Sequence, residues 1–173
     1  MATYDLTASS TAGVSANSIA VLPDVRNSTY LVEKILDVGK LVSAGLFSTI
    51  TTGDIFQVLE IPGGSIVVAA GAEVLTAFNG TTPTVDIDFA AGDDIVDGGD
   101  VTSTGYLASG SNGAANTVGG TTYTDFIATT DTIDVLVAAG ANDVSSGVLR
   151  VYAVVCDLTG VADLATEVAR DNA

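Results

Sequence analysis

The chain has 173 residues, with 5 Lys and Arg against 21 Asp and Glu, no His, and a formal charge of −16. So acidic a surface repels the backbone of nucleic acid, and the missing His removes both the usual general base near neutral pH and the commonest transition-metal ligand, which excludes His-based triads and His-bearing zinc sites. With 47% hydrophobic and 15% charged residues and one Cys, the sequence reads as globular, free of internal disulfides and long enough for one domain with a core.

In chain order, the first stretch is MATYDLTASSTAGVSANSIAVLP. It has neither a basic start nor a continuous apolar segment, so no secretory signal is expected, and the absence of any run of about 18 apolar residues predicts no membrane span. Asn27-Ser28-Thr29 and Asn79-Gly80-Thr81 match the glycosylation sequon, which stays unused without a secretory route. Residues 1–29 are rich in Ala, Ser and Thr without sustained periodicity. They predict an extended N-terminal arm outside the core, ending in a turn at Asp24 to Asn27.

Tyr30 to Val38 (YLVEKILDV) predicts a strand with one buried face. In Ile55 to Ile61, the positions Ile55, Gln57, Leu59 and Ile61 alternate with Phe56, Val58 and Glu60, and apolar residues on both faces imply cover from both sides. Pro62-Gly63-Gly64 breaks the chain. Ser65 to Ala70 and Ala72 to Phe78 follow as strands, with Gly71 expected at a bulge or bend. Asn79-Gly80 is a strong hairpin signal and would fold Glu73 to Phe78 back against Thr84 to Phe89.

In that second arm Val85, Ile87 and Phe89 alternate with Thr84, Asp86 and Asp88. Ala90 to Gly120 reads as long loops with a short strand near Val101 to Leu107. Thr121 to Ala128, Thr132 to Ala138 and Gly147 to Leu158 return to strand patterns. Val161, Leu164, Ala165 and Val168 recur at helical spacing and predict a short amphipathic C-terminal tail helix. About eight strands without alternating helices predict an all-β antiparallel β-sandwich, jelly-roll-like in type, over residues 30–158, preceded by the arm 1–29 and followed by the tail 159–173.

The densest chemical constellation is acidic: Asp86, Asp88, Asp93, Asp94, Asp97 and Asp100. Oxygen ligands of this kind suit Ca²⁺, with Asp86 and Asp88 as the best pair because they share a strand face, yet the spacing fits no calcium loop and a solvated acidic loop is the simpler reading. Two carboxylates could also serve a glycosidase, but 21 acids supply such pairs by chance and no Trp is present to stack on sugar. No G-x-S-x-G elbow and no phosphate-binding loop occurs. Gly63-Gly64 and Gly119-Gly120 read as turns. Cys156 is expected as a buried structural thiol, and the five cations Arg26, Lys34, Lys40, Arg150 and Arg170 as partners of carboxylates. No catalytic, cofactor-binding or metal residue is therefore assigned, no cofactor is implied and no enzyme is expected.

Three stretches, DIFQVLEIPGGSIVVAAGAEVLTAF, TVDIDFAAGDDIVDGGDVTSTGYL and DTIDVLVAAGANDVSSGVLRVYAVVCDL, in this order and spacing, resemble small virion proteins of tailed bacteriophages, especially marine and cyanobacterial phages. The pattern lies in Leu59-Glu60-Ile61-Pro62-Gly63-Gly64, in Asp86-Ile87-Asp88, and in Gly147 to Asp157. The resemblance implies a capsid decoration or cement protein on the outer surface of the virion, commonly a homotrimer, whose partners are the major capsid protein and itself, with no nucleic acid and no membrane. Strong negative charge suits a shell exterior, since the lumen is packed with polyanion. The alternative is a head-fibre or tail-tip module binding a receptor or glycan, for which the Gly/Ser/Thr/Asn-rich loop from Ser103 to Thr122 is the segment to inspect.

Overall fold

A computed structural model describes residues 2–7, 29–89, 95–108, 125–140 and 144–158. Among these residues run ten strands and one short helix: β1 (Thr3–Asp5), β2 (Thr29–Asp37), α1 (Val38–Ser43), β3 (Ile55–Ile61), β4 (Ser65–Thr76), β5 (Thr84–Phe89), β6 (Val96–Asp100), β7 (Gly105–Ala108), β8 (Asp125–Ile127), β9 (Asp131–Ala139) and β10 (Val148–Asp157). The first sheet has the order β1-β3-β9-β5-β6 and the second β2-β10-β4-β7, with β8 also pairing β4. Setting aside β1 and β8, the two four-stranded sheets β3-β9-β5-β6 and β2-β10-β4-β7 have the strand order of a jelly roll. All described pairs are antiparallel except β1 with β3.

Period-2 patterning builds the core. From the first sheet come Val85, Ile87 and Phe89 on β5 and Ile133, Val135 and Val137 on β9. From the second come Val32 and Leu36 on β2, Val67, Ala70, Ala72 and Val74 on β4, and Leu149, Val151, Ala153 and Val155 on β10. All join one buried cluster. Register confirms the facing: Val32, Leu36, Leu149, Val151, Ala153 and Val155 sit opposite inward partners on the neighbouring strands.

Four expectations change. β3 is not covered on both faces: a register shift between Gln57 and Leu59 inserts a bulge, so Phe56 and Val58 before it and Leu59 and Ile61 after it all turn inward, while Glu60 is exposed. Asn79-Gly80 does not make a hairpin, because β4 and β5 belong to different sheets. Phe78 is buried, with its N–H on the Val101 carbonyl, and the Asn79 side chain is spent on the far loop. Its Oδ1 accepts from the N–H groups of Ser145 and Ser146, both at 2.9 Å, and its Nδ2 donates to Ser145 Oγ at 3.2 Å. The turn residues thus anchor a corner between sheets.

Gly71 lies inside an unbroken β4. The irregularities in its pairing with β10 fall at Val68 and Leu75, and what Gly71 permits is close approach: an added Cβ would lie 2.8 Å from the Tyr152 hydroxyl and 2.9 Å from the Leu107 carbonyl oxygen. The strand expected near Val101 to Leu107 is two, β6 and β7, on either side of Val101 and in different sheets.

Helix α1 was not expected, although its ends are written in the sequence. Asp37 ends β2 and caps the helix, accepting from Lys40 N at 3.0 Å. Gly45, at φ 77°, closes it with a Schellman pair, Gly45 N to Val42 O and Leu46 N to Leu41 O. Val38 and Leu41 are its buried residues. The arm 1–29 is described at 2–7 and at Thr29, which opens β2; residues 3–5 form a sheet strand followed by a fully buried Leu6, so this part belongs to the core. The tail helix expected in 159–173 lies outside the described residues.

Candidate interaction surface

The two outward faces of the sandwich differ in chemistry. On the second sheet, β10 runs between β2 and β4, and its outward residues Val148, Arg150, Tyr152, Val154 and Cys156 form the central row. Paired beside them are Leu31, Glu33 and Ile35 from β2 and Ile66, Ala69, Gly71 and Glu73 from β4. Tyr106 on β7 sits opposite Glu73, and Phe126 on β8 sits opposite Ile66. Six large hydrophobic residues are exposed among those described, and five of them stand here: Leu31 (49%), Val68 (39%), Leu75 (40%), Tyr106 (52%) and Phe126 (56%). With their half-buried neighbours they form the apolar part of this face, and exposed apolar residues gathered on one face are the usual feature of an interaction site.

Charge on this face is concentrated and internally paired. Arg150 holds Glu33 at 3.5 Å and Glu73 in a closer contact. Tyr152 lies over Gly71 in the adjacent row, and burial first, then the nearby Tyr106 hydroxyl, pushes its phenol above the ordinary value. Among the described residues, the strand register sets Leu31, Val154, Ile66, Val68 and Phe126 near one another, with Cys156 in the same row. Cys156 is half-buried on this outward row, so the expected buried thiol is corrected to a partly accessible one.

The first sheet carries carboxylates on the side of its strands opposite the core residues. Asp86 and Asp88 do share a face, as alternation demands, but they are buried at 8% and 1% exposure rather than solvated. Asp86 Oδ1 accepts from Gly98 N at 2.7 Å. Asp88 is paired in register with Asp134 on β9, itself 9% exposed and accepting from Thr132 Oγ1 at 2.6 Å. Burial, followed by the charges of Asp131 and Asp5, raises the Asp134 carboxyl above the ordinary range against the Thr132 and Gln57 hydrogen bonds. Asp97 is half-buried, Asp100 is exposed and capped by Thr102, and Asp93 and Asp94 lie outside the described residues. No group of three or more Cys, Asp or Glu able to hold a metal exists among the described residues, which include Asp86, Asp88, Asp97 and Asp100.

Two of the three described cations are paired with carboxylates as expected: Lys40 to Asp37 at 3.2 Å, and Arg150 as above. Lys34 departs from the pattern. It is fully buried on the inward side of β2 and donates to the Thr7 carbonyl. Burial lowers its pKa, opposed by the charges of Asp5 and Glu60. Arg26 and Arg170 lie outside the described residues, as do Gly119-Gly120 and residues 109–122 of the loop singled out for host contact. Gly63-Gly64 is the turn expected.

No protein-family model and no curated protein sequence matches the chain. Among solved structures, a chain from the capsid of Ralstonia phage GP4 superposes with a TM-score of 0.57 at 15% identity, covering 80% of this chain and 90% of that one. A chain from the acidic stable capsid structure of Helicobacter pylori bacteriophage KHP30 overlaps with a TM-score of 0.38 at 21% identity, over 75% of this chain and 90% of that one, too loosely for any argument. The first likeness is one of fold. Fold and surface together define a jelly-roll β-sandwich with exposed apolar residues on its second sheet and buried carboxylates on its first.

Proposed function

We propose that this chain is a structural protein of a tailed-phage virion: a decoration or cement protein that sits on the outside of the head, contacts the major capsid protein and stabilises the shell. The observation that carries the reading is the open face of the β10-centred sheet. A chain of formal charge −16 keeps Leu31, Val68, Leu75, Tyr106 and Phe126 together on one outward surface, where water exposure costs about 1 kcal/mol for each half-exposed side chain. A partner protein recovers that free energy by covering them.

The fold shared with a chain of the Ralstonia phage GP4 capsid supports a shell as the partner. Acidity supports the exterior, where no packed polyanion repels it. Self-association as a homotrimer belongs to the same reading, and the role is mechanical: it includes no catalysis, no nucleic acid and no membrane. A receptor- or glycan-binding module is the alternative, and no observation on the described residues favours it.

The test uses shells of the phage that encodes the chain, prepared without it. Leu31→Ser combined with Phe126→Ser leaves the core intact, so the unfolding midpoint holds while affinity in co-sedimentation falls by about ten- to a hundredfold. Undiminished binding of the double variant overturns the assignment of this face.

A further inference from the structure

The outward face of the second sheet has a polar centre in which charge does not balance. Arg150 projects from the middle strand, and its guanidinium contacts Glu33 on β2 and Glu73 on β4. One cation serves two carboxylates, so the group keeps one negative charge in excess. Arg150 lies closer to Glu73 and stands 3.5 Å from Glu33, which makes Glu33 the looser partner. Both contacts run through Oε2, and both glutamates remain partly open to water, with side-chain exposures of 29% for Glu33 and 20% for Glu73. Water screens the excess while the face is uncovered.

Apolar residues flank the group along its strands. Leu31 stands two positions from Glu33 on β2, Leu75 stands two positions from Glu73 on β4, and both are exposed. Tyr106 is paired in register with Glu73, and Tyr152 with Glu33. Arg and Tyr set among apolar residues are what the buried centre of a protein interface is made of. A partner that covers Leu31 and Leu75 also strips water from the glutamates between them. A carboxylate shut away without a counter-charge is costly, so an apolar cover alone gives back at Glu33 much of what it gains at the leucines. A second copy of this chain laid face to face adds another excess charge of the same sign. The cover that fits brings a cation of its own.

We infer that the protein partner of this face presents a lysine or arginine side chain, set among apolar residues, whose cationic head pairs with Glu33. The inference deepens the reading of this face as an attachment site and rests on it. Two pairs then balance, Arg150 with Glu73 and the partner's cation with Glu33. An ion pair sealed inside an interface is screened far less than long-range repulsion between acidic bodies, so substitution and not salt is the decisive readout.

Glu33→Gln keeps the shape of a half-exposed side chain, and its unfolding midpoint is expected to match that of the unmodified chain. On shells of the encoding phage prepared without this chain, the variant is expected to bind about ten- to a hundredfold more weakly, because the partner's cation loses its counter-charge. A partner lacking that cation gives the opposite sign. The substitution then removes the stranded charge, binding holds or tightens, and the inference is overturned. A second arm needs no shell: acetyl-Leu-Arg-Leu-amide and its citrulline counterpart, equal in shape but uncharged, are titrated to millimolar concentration into isotope-labelled chain. Amide shifts centred on Glu33 and Tyr152 are expected from the arginine peptide alone and are lost in Glu33→Gln; no shift, or equal shifts from both peptides, overturns the inference. A chain that shows these shifts yet ignores the shells sinks the virion reading alone.

Discussion

Asp134 faces Asp88 across adjacent strands, and both carboxyls are removed from water. Its folded pKa is raised, chiefly by burial. Between the ordinary carboxylate value and the raised one, the folded chain holds a proton that the unfolded chain has released, so stability falls as pH rises through that window. Asp134→Asn is therefore expected to raise the thermal midpoint at pH 7, with the gain shrinking as pH approaches the ordinary carboxylate range; a pH-independent gain, or a loss at pH 7, contradicts the assignment. Gly71→Ala tests the close approach under Tyr152. The new Cβ meets the Leu107 backbone oxygen as well as the movable hydroxyl, so the cost is about 1–3 kcal/mol by denaturant unfolding, and adding Tyr152→Phe restores only part of it. Asn79→Ala releases three hydrogen bonds at an exposed corner and is expected to lose about 1–2 kcal/mol in the same assay.

Elements with clean alternation were legible in the sequence: β5, β9 and β10 lie within a residue or two of their expected bounds, because a half-buried antiparallel strand imprints a period of two on the chain. Where local chemistry interrupts that period, the reading failed for identifiable reasons. The bulge in β3 shifts the phase by one residue and makes a one-sided strand look two-sided. α1 is only six residues long, too short for a helical period to emerge, although Asp37 and Gly45 mark its ends. Asn79 resembles a hairpin residue until the loop at Ser145 and Ser146, distant in sequence, captures its side chain. β1 was hidden because a three-residue edge strand has no pattern of its own. Its stability is tied to Lys34, and Lys34→Ala is expected to expose residues 2–7 to faster hydrogen exchange while β9 and β10 retain protection. Equal protection of Ala2 to Thr7 in the variant would detach Lys34 from this role.

At the scale of the whole molecule, the open face of the second sheet was only half legible. Alternation exposed the hydrophobic residues of individual strands, but their assembly into one surface depends on register between β2, β10, β4, β7 and β8, which no short-range pattern contains. Charge sets the conditions under which that face can work. Copies of a chain at −16 repel one another, so self-association and attachment to an acidic neighbour are expected to strengthen from 10 to 150 mM salt, roughly the range over which the Debye length falls from 30 to 8 Å. Weakening over the same range would mean that ion pairs and not apolar contacts dominate. The role proposed for this chain is adhesion to a larger shell, and the composition of that shell tests the proposal most directly. Quantitative mass spectrometry of purified mature particles of the encoding phage is predicted to find this chain in hundreds of copies per head; its absence, or a handful of copies confined to the tail, would contradict the account.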